Sequence, residues 1–342
     1  MGALEFLKKK DIEFSLRRYG IDALSYMALG LFGTLIIGLI LRVIGERTGL
    51  TFLEEVVWPM ANDMMGPAIA VAVAYGLKAP PLVIFSSTVS GMAGAQLGGP
   101  AGALIAAIIG AEFGKLVSKE TKVDIIVTPA VTVIMGVLAG TQIGPGVNWA
   151  MLRLGDFIML ATELQPVPMG IILAVVVGLA LTFPISSVAL TMMLQLEGLA
   201  AGAAAVGCAS QMIGFAIISY RENGFGGFIA QGLGTSMLQI PNIIKNPLIL
   251  IPPTITAAIL GPLVTTVFVM TNRPEGAGMG TSGLVGQFGA VAAMDGTNLG
   301  GPDMFIKIAM FHFVLPALIS IIIGIIMKKT GLIKEGDLKL DV

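Results

Sequence analysis

Charge is what this chain has least of: Asp, Glu, Lys and Arg make up 12% of its 342 residues, against 55% hydrophobic residues. A soluble domain of this length needs a far more polar surface, so the composition excludes one and points to an integral membrane protein. Cysteine and histidine occur once each, as Cys208 and His312. That excludes a disulfide framework and a cysteine-based metal site, and Cys208, inside an apolar run, reads as a small buried residue. No HExxH, GxSxG or paired-carboxylate cluster is present, so the chain offers no catalytic centre of its own, no metal site and no expected cofactor. A net charge of −1 provides no basic face for nucleic acid, and no nucleic-acid motif is found.

What is abundant is uncharged sequence. The first twenty residues, MGALEFLKKKDIEFSLRRYG, are too charged for a signal peptide and read as an amphipathic segment on the cytoplasmic face. Residues 23–41 are the first span. Further apolar runs occupy 79–111, 125–152, 164–196, 198–220, 223–244, 246–272, 276–294 and 308–327, with a weaker span at 56–77. Run 79–111 is long enough for two short passes hinged at LGGPAG, 97–102, where glycine and proline break a helix. Segment 146–163 reads as an amphipathic helix on the outer face. With 276–294 re-entrant, the expectation is an all-α polytopic protein of about ten transmembrane helices. The Lys and Arg before the first span, Lys115, Lys119, Lys122, Lys245, Lys328 and Lys329 then all face the cytoplasm, as do both termini. The membrane domain runs over 21–328 and a cytoplasmic tail over 329–342.

Residues 99–135 laid on 223–259 without gaps match at seven positions: Gly102/Gly226, Ile105/Ile229, Ala106/Ala230, Gly110/Gly234, Ile125/Ile249, Pro129/Pro253 and Thr132/Thr256. Matched glycines and prolines are the pattern of duplicated transporters with broken helices. The expected repeats are about 55–183 and 184–328, parallel or inverted. Most of the 45 glycines read as close-packing positions. The stretch GAGMGTSG, 276–283, is too glycine-dense for an ordered helix. Non-helical backbone at membrane depth needs protein or a water-filled cavity around it, and the expectation is that it lines a cavity.

Charges inside spans are costly, so each is a candidate. Glu112, Lys115 and Lys307 read as interfacial, with Lys115 snorkelling. Asp63, beside Asn62 and before a Gly-Pro break, suits a solute pathway or a helix cap. His312 is either a neutral imidazole bonded to a backbone carbonyl or a substrate contact. Arg273 and Glu275 flank Pro274 just before the glycine loop, and MDGTNLGGPD, 294–303, closes the segment. Carboxylates accept hydroxyl donors, and amides both donate and accept. Glu275, Arg273, Thr281, Ser282, Gln287, Asp295 and Asn298, with Asn62, Asp63 and His312, therefore form a candidate site for a polyhydroxylated solute such as a sugar.

The stretches GGPAGALIAAIIGAEFGKL (98–116), VTPAVTVIMGVLAG (127–140) and EGAGMGTSGLVGQ (275–287) resemble the membrane subunit, the IIC component, of bacterial sugar phosphotransferase systems, in the branch that includes perfringolysin-regulator-like proteins. The resemblance covers about 20–328. It implies a homodimer of about ten helices per chain in the bacterial cell membrane, re-entrant hairpins, and a loop glutamate contacting the sugar, for which Glu275 is the matching position. The Gly-Ile-Thr-Glu-Pro pattern usual around that glutamate is not present. It also implies a phosphorylated, cysteine-bearing IIB partner, expected as a separate protein because Cys208 lies within the membrane region. The expected function is a sugar or polar-solute permease working by alternating access; the alternative is a membrane solute sensor that signals to a partner without transport.

Overall fold

The computed structural model describes residues 3–15 and 17–340, and among them every extended element of secondary structure is a helix. Six helices are long and apolar enough to cross a membrane: Arg18–Glu46, Pro81–Val117, Asp124–Thr162, Gly198–Ile218, Pro247–Thr266 and Pro302–Lys329. A seventh span is possible if Phe52–Asp63 and Met65–Gly76, bent by 45°, count as one; Pro166–Thr182 and Ser282–Met294 are shorter apolar helices. The chain is an all-α, multi-pass membrane protein. Residues 146–162, expected as a separate surface segment, continue the helix that begins at Asp124, with Pro129 and Pro145 inside it. The chain divides into two compact units, Met1–Ala150 and Met151–Val342.

In the first unit the helix Pro81–Val117 is broken at Gly99, whose φ of 57° and ψ of −147° only glycine adopts without strain. The chain reverses there. A Cβ built on Gly94 would lie 2.3 Å from Gly102 O, whereas eight residues of straight helix rise about 12 Å. LGGPAG is thus the hinge of a helical hairpin. Its first arm packs on Met65–Gly76 through glycine: a Cβ on Gly91 would sit 2.2 Å from Gly66 O, so the two backbones touch.

The end of this unit where the N-terminal segment packs is tied by buried charge. Lys115 is 2% exposed; its Nζ donates to Leu77 O at 3.0 Å and Asp11 O, and pairs with Glu112 at 3.2 Å. Arg18 donates to Leu77 O (2.8 Å) and Asp11 Oδ2 (2.9 Å), and Tyr19 OH donates to Glu112 (3.1 Å). Glu112 and Lys115 are therefore core partners of the N-terminal segment, not interfacial groups reaching for water: Asp11, Arg18 and Tyr19 lie against them, and Asp11 and Tyr19 hydrogen-bond to Lys115 and Glu112. Lys10 reinforces the seam through Glu120 and the carbonyl of Ser118.

The second unit contains a matching break. After Gly198–Ile218 the chain passes Gly224 (φ 62°, ψ −163°) and turns back, so that Gln231 Nε2 donates to Ser219 Oγ at 2.9 Å and Gly232 lies against Ile213 and Ala216. The helix Gly198–Ile218 is buried almost all round, packed between Pro166–Thr182, Ile251–Thr266 and Leu315–Lys329. A Cβ on Gly207 would fall 1.9 Å from Ala174 O, so that crossing admits no side chain.

Two outcomes test the buried seam. Glu112→Gln strands Lys115 without its counter-charge and is expected to lower stability by about 3–5 kcal/mol, whereas Glu112→Leu combined with Lys115→Met restores much of the loss; thermal unfolding of the purified variants measures both. The hydrogen bond from Arg18 holds the Asp11 carboxyl below its ordinary value. A lowered folded pKa contributes stability above the unfolded value of about 4 and loses it as pH falls through the folded value. Proteolysis at the N-terminal segment should then rise on acidification below about pH 4, and Asp11→Asn should flatten that dependence. The change is small because Asp11 is half-exposed.

Candidate functional site

The glycine-rich loop is held by its flanks. Asn272 is 2% exposed. Its N–H donates to Gly198 O (3.2 Å), its Nδ2 donates to Gly286 O (2.9 Å), and its Oδ1 accepts the N–H of Arg273 (2.8 Å). The Asn272 side chain thus ties the start of the loop to its end, and its main-chain N–H ties it to the N-terminus of the central helix. The loop closes tightly around it: a Cβ on Gly276 or Gly289 would lie 2.2 or 2.4 Å from Asn272 Oδ1.

Residues 276–283 are buried throughout, and their backbone groups find partners within the second unit. Ser187 Oγ donates to Gly278 O at 2.7 Å, Ser282 N–H donates to Met279 O at 2.9 Å, and Gly286 N–H donates to Gly280 O at 3.0 Å. Thr281 Oγ1 donates to Gly232 O at 2.5 Å, joining the loop to the return arm of the second hairpin. Gly280, at φ 52°, lies against Cys208 and Ala209, in the left-handed region that glycine enters without strain. Glycine is required here for close approach to the central helix as well as for the turn.

An open cavity of about 770 Å³ lies beside the loop, lined by Met192, Gln195, Glu197, Gly198, Thr271, Asn272, Arg273, Pro274, Glu275, Ala292 and Ala293. Glu197 and Glu275 are both exposed into it. Arg273 donates to Ala292 O at 2.9 Å, and among the described residues no ion pair joins it to Glu275. Both carboxylates are thereby left to accept from whatever enters.

The structure divides the residues singled out from sequence. Arg273 and Glu275 line the cavity. Thr281, Ser282, Gln287 and His312 lie in the buried layer of the same unit, where Gln287 Nε2 sits 2.7 Å from His312 Nδ1. An amide donating to that ring nitrogen leaves the imidazole proton on Nε2. His312 is thus a buried imidazole whose ring nitrogen meets a side-chain amide in place of the expected carbonyl. Among the described residues, Ser282 Oγ and Gln287 Oε1 have no hydrogen-bond partner. Asp295 and Asn298 are exposed on the turn after Met294, where Asp295 Oδ1 accepts from the N–H of Gly296. Asn62 and Asp63 belong to the first unit and are exposed at the bend before Met65; the helix Met65–Gly76 starts at Met64 with no side-chain cap.

Sequence reading passed over Glu197, Gln195, Thr271 and Asn272. Glu197 carries a clear signal, being the one charge between Glu163 and Arg221. Asn272 carries none, because its role depends on Gly198 and Gly286 meeting in space.

A multi-pass helical bundle with broken hairpins, a buried glycine loop and an open polar cavity defines the class of membrane carriers. A family profile described as "Phosphotransferase system, EIIC" matches residues 21–340, and the chain belongs to that family. It is a membrane component of sugar transport, with a sugar as substrate and IIB proteins as partners. No curated protein matches the chain, and no solved structure does.

Removing the Asn272 side chain leaves Gly286 O and the Arg273 N–H without their buried partner. Asn272→Ala should cost about 1–3 kcal/mol of stability. Thermal unfolding of this variant beside Glu275→Gln, for which little change is expected, checks that the asparagine carries structure and the glutamate does not.

Proposed function

We propose that the cavity beside the glycine loop is where this permease binds its sugar, and that Glu275 and Glu197 accept hydrogen bonds from the sugar hydroxyls. The observation that carries the reading is that two unpaired carboxylates line one cavity, since a carboxylate accepts two hydroxyl donors and suits a polyhydroxylated solute. Glu275 is also the position the family's loop glutamate would take. Arg273, bonded to the Ala292 carbonyl, has further donors for an anionic group if the sugar leaves phosphorylated. Phosphoryl transfer is then supplied by separate IIB and IIA proteins.

The mechanism that fits is alternating access, with one group of helices moving against the other around the bound solute. The duplication of about 55–183 and 184–328 belongs to the same reading. In its support, the two hinge glycines, Gly99 and Gly224, fall one residue apart under the 124-residue offset and share nearly the same backbone angles. A homodimer in the bacterial cell membrane with both termini cytoplasmic completes the arrangement.

Calorimetric titration with a panel of sugars, free and phosphorylated, tests the site. Glu275→Gln should weaken binding of the active sugar by about 1.5–3 kcal/mol, the range for hydrogen bonds to a charged group, and Glu197→Gln should weaken it in the same direction. Arg273→Gln should weaken phosphorylated ligands most. Unchanged affinity in both glutamate variants would remove the cavity from the binding site. Binding without uptake into sealed vesicles supplied with IIB would favour a sensor.

A further inference from the structure

The C-terminal segment is held in an unusual way. Residues 338–340 leave a turn, in which the Lys339 N–H donates to Gly336 O at 3.3 Å, and the side chains of the second hairpin that meet them bind main chain. Asn223 is bidentate: its Nδ2 donates to Leu338 O and its Oδ1 accepts from Leu340 N–H, both at 2.8 Å. Glu222 Oε2 accepts the Leu338 N–H at 3.1 Å while its other oxygen pairs with Lys328. Gln239 Nε2 donates to Leu338 O (3.0 Å), and Asn242 Nδ2 donates to Lys339 O (2.8 Å). Four side chains thus satisfy the main-chain groups on either side of Lys339, the N–H and C=O of Leu338, the C=O of Lys339 and the N–H of Leu340.

The donors are themselves pre-set. Gln239 Oε1 accepts from Asn242 Nδ2, Gln231 Oε1 accepts from Gln239 Nε2, and Gln231 Nε2 is fixed by Ser219 Oγ and Gly227 O. This amide relay keeps its internal bonds whether or not the peptide is present, so departure of the tail frees one donor each on Gln239 and Asn242, the donor and acceptor of Asn223 and one oxygen of Glu222, while the relay itself stays bonded. The Leu338 side chain, 0% exposed, belongs to the buried cluster of Phe215, Ile218, Ile243, Ile249, Met327 and Ile333. Lys339 points out to solvent, and the connection from Ile333 runs through exposed residues 334–336 with Gly336 at φ 93°.

We propose that the face formed by Glu222, Asn223, Gln239 and Asn242 is a binding site for a peptide segment, reading main chain with Leu338 as the most deeply buried anchor, and that the C-terminal tail occupies it as a tethered, exchangeable ligand. The site lies at the hinge and return arm of the broken hairpin, so its occupant braces the segment around Gly224. The inference stands apart from the sugar-site reading, because its geometry involves none of the cavity residues.

The test uses the chain ended after Glu335 and a fluorescent peptide of residues 336–342. Saturable binding to the truncated protein is expected, with the full-length protein binding the same peptide much more weakly because its own tail competes at high effective concentration. A Leu338→Asp peptide should bind about 10- to 150-fold more weakly, the equivalent of leaving a leucine unburied. A Lys339→Ala peptide should stay within about twofold, as an exposed charge contributes little. Full-length protein carrying Leu338→Asp keeps the chain length and should bind the wild-type peptide like the truncated form. No saturable binding to either protein while its thermal transition persists would overturn the proposal. So would loss of folding in both, which would make the tail a permanent part of the core.

Discussion

Backbone that leaves the helix inside an apolar protein must find its hydrogen bonds within the protein, because lipid supplies none. Much of this architecture follows from that constraint. The glycine loop at 276–283 is ordered because Ser187, Thr281 and Asn272 meet carbonyls or N–H groups that a helix would have paired internally. The glycines matter because only they let the loop come close enough to the central helix for those bonds to form. The hairpins at Gly99 and Gly224 are the same solution on a larger scale, with the reversal at a glycine and the arms helical on both sides.

The constraint also sorts the polar groups. Those that hold structure are buried and paired, such as Asn272, the relay from Gln231 to Asn242, and the cluster of Glu112, Lys115, Arg18 and Tyr19. Among the described residues Glu197 and Glu275 have no ion-pair partner, and both are exposed at the cavity. A permease needs this separation, because a carboxylate committed to the fold is not available to a sugar.

Local chemistry made part of this legible in advance. The class follows from composition, and the first hinge from LGGPAG, because glycine and proline act on the residues beside them. The second hinge, in ENGFGG, carries no proline and is not read as a hinge from sequence. Glu112 and Lys115 read as interfacial because their partners, Tyr19 and Asp11, are about a hundred residues away. Asn272 was silent for the same reason. The tail looked ordinary because its grip is on main chain, which every sequence carries. Thr281, Ser282 and Gln287 were correctly seen as polar groups in an apolar run, but periodicity does not tell which side of a loop faces a cavity and which faces a helix.

The central claim is that 276–283 is buried, protein-covered backbone and not a loop open to water. Hydrogen–deuterium exchange of the protein in nanodiscs measures this directly. Amides from 277 to 286 should exchange about as slowly as those of Gly198–Ile218, while the turn at 295–301 exchanges fast. Exchange at 277–286 as fast as at 295–301 would contradict the account, leaving the glycine stretch an exposed loop.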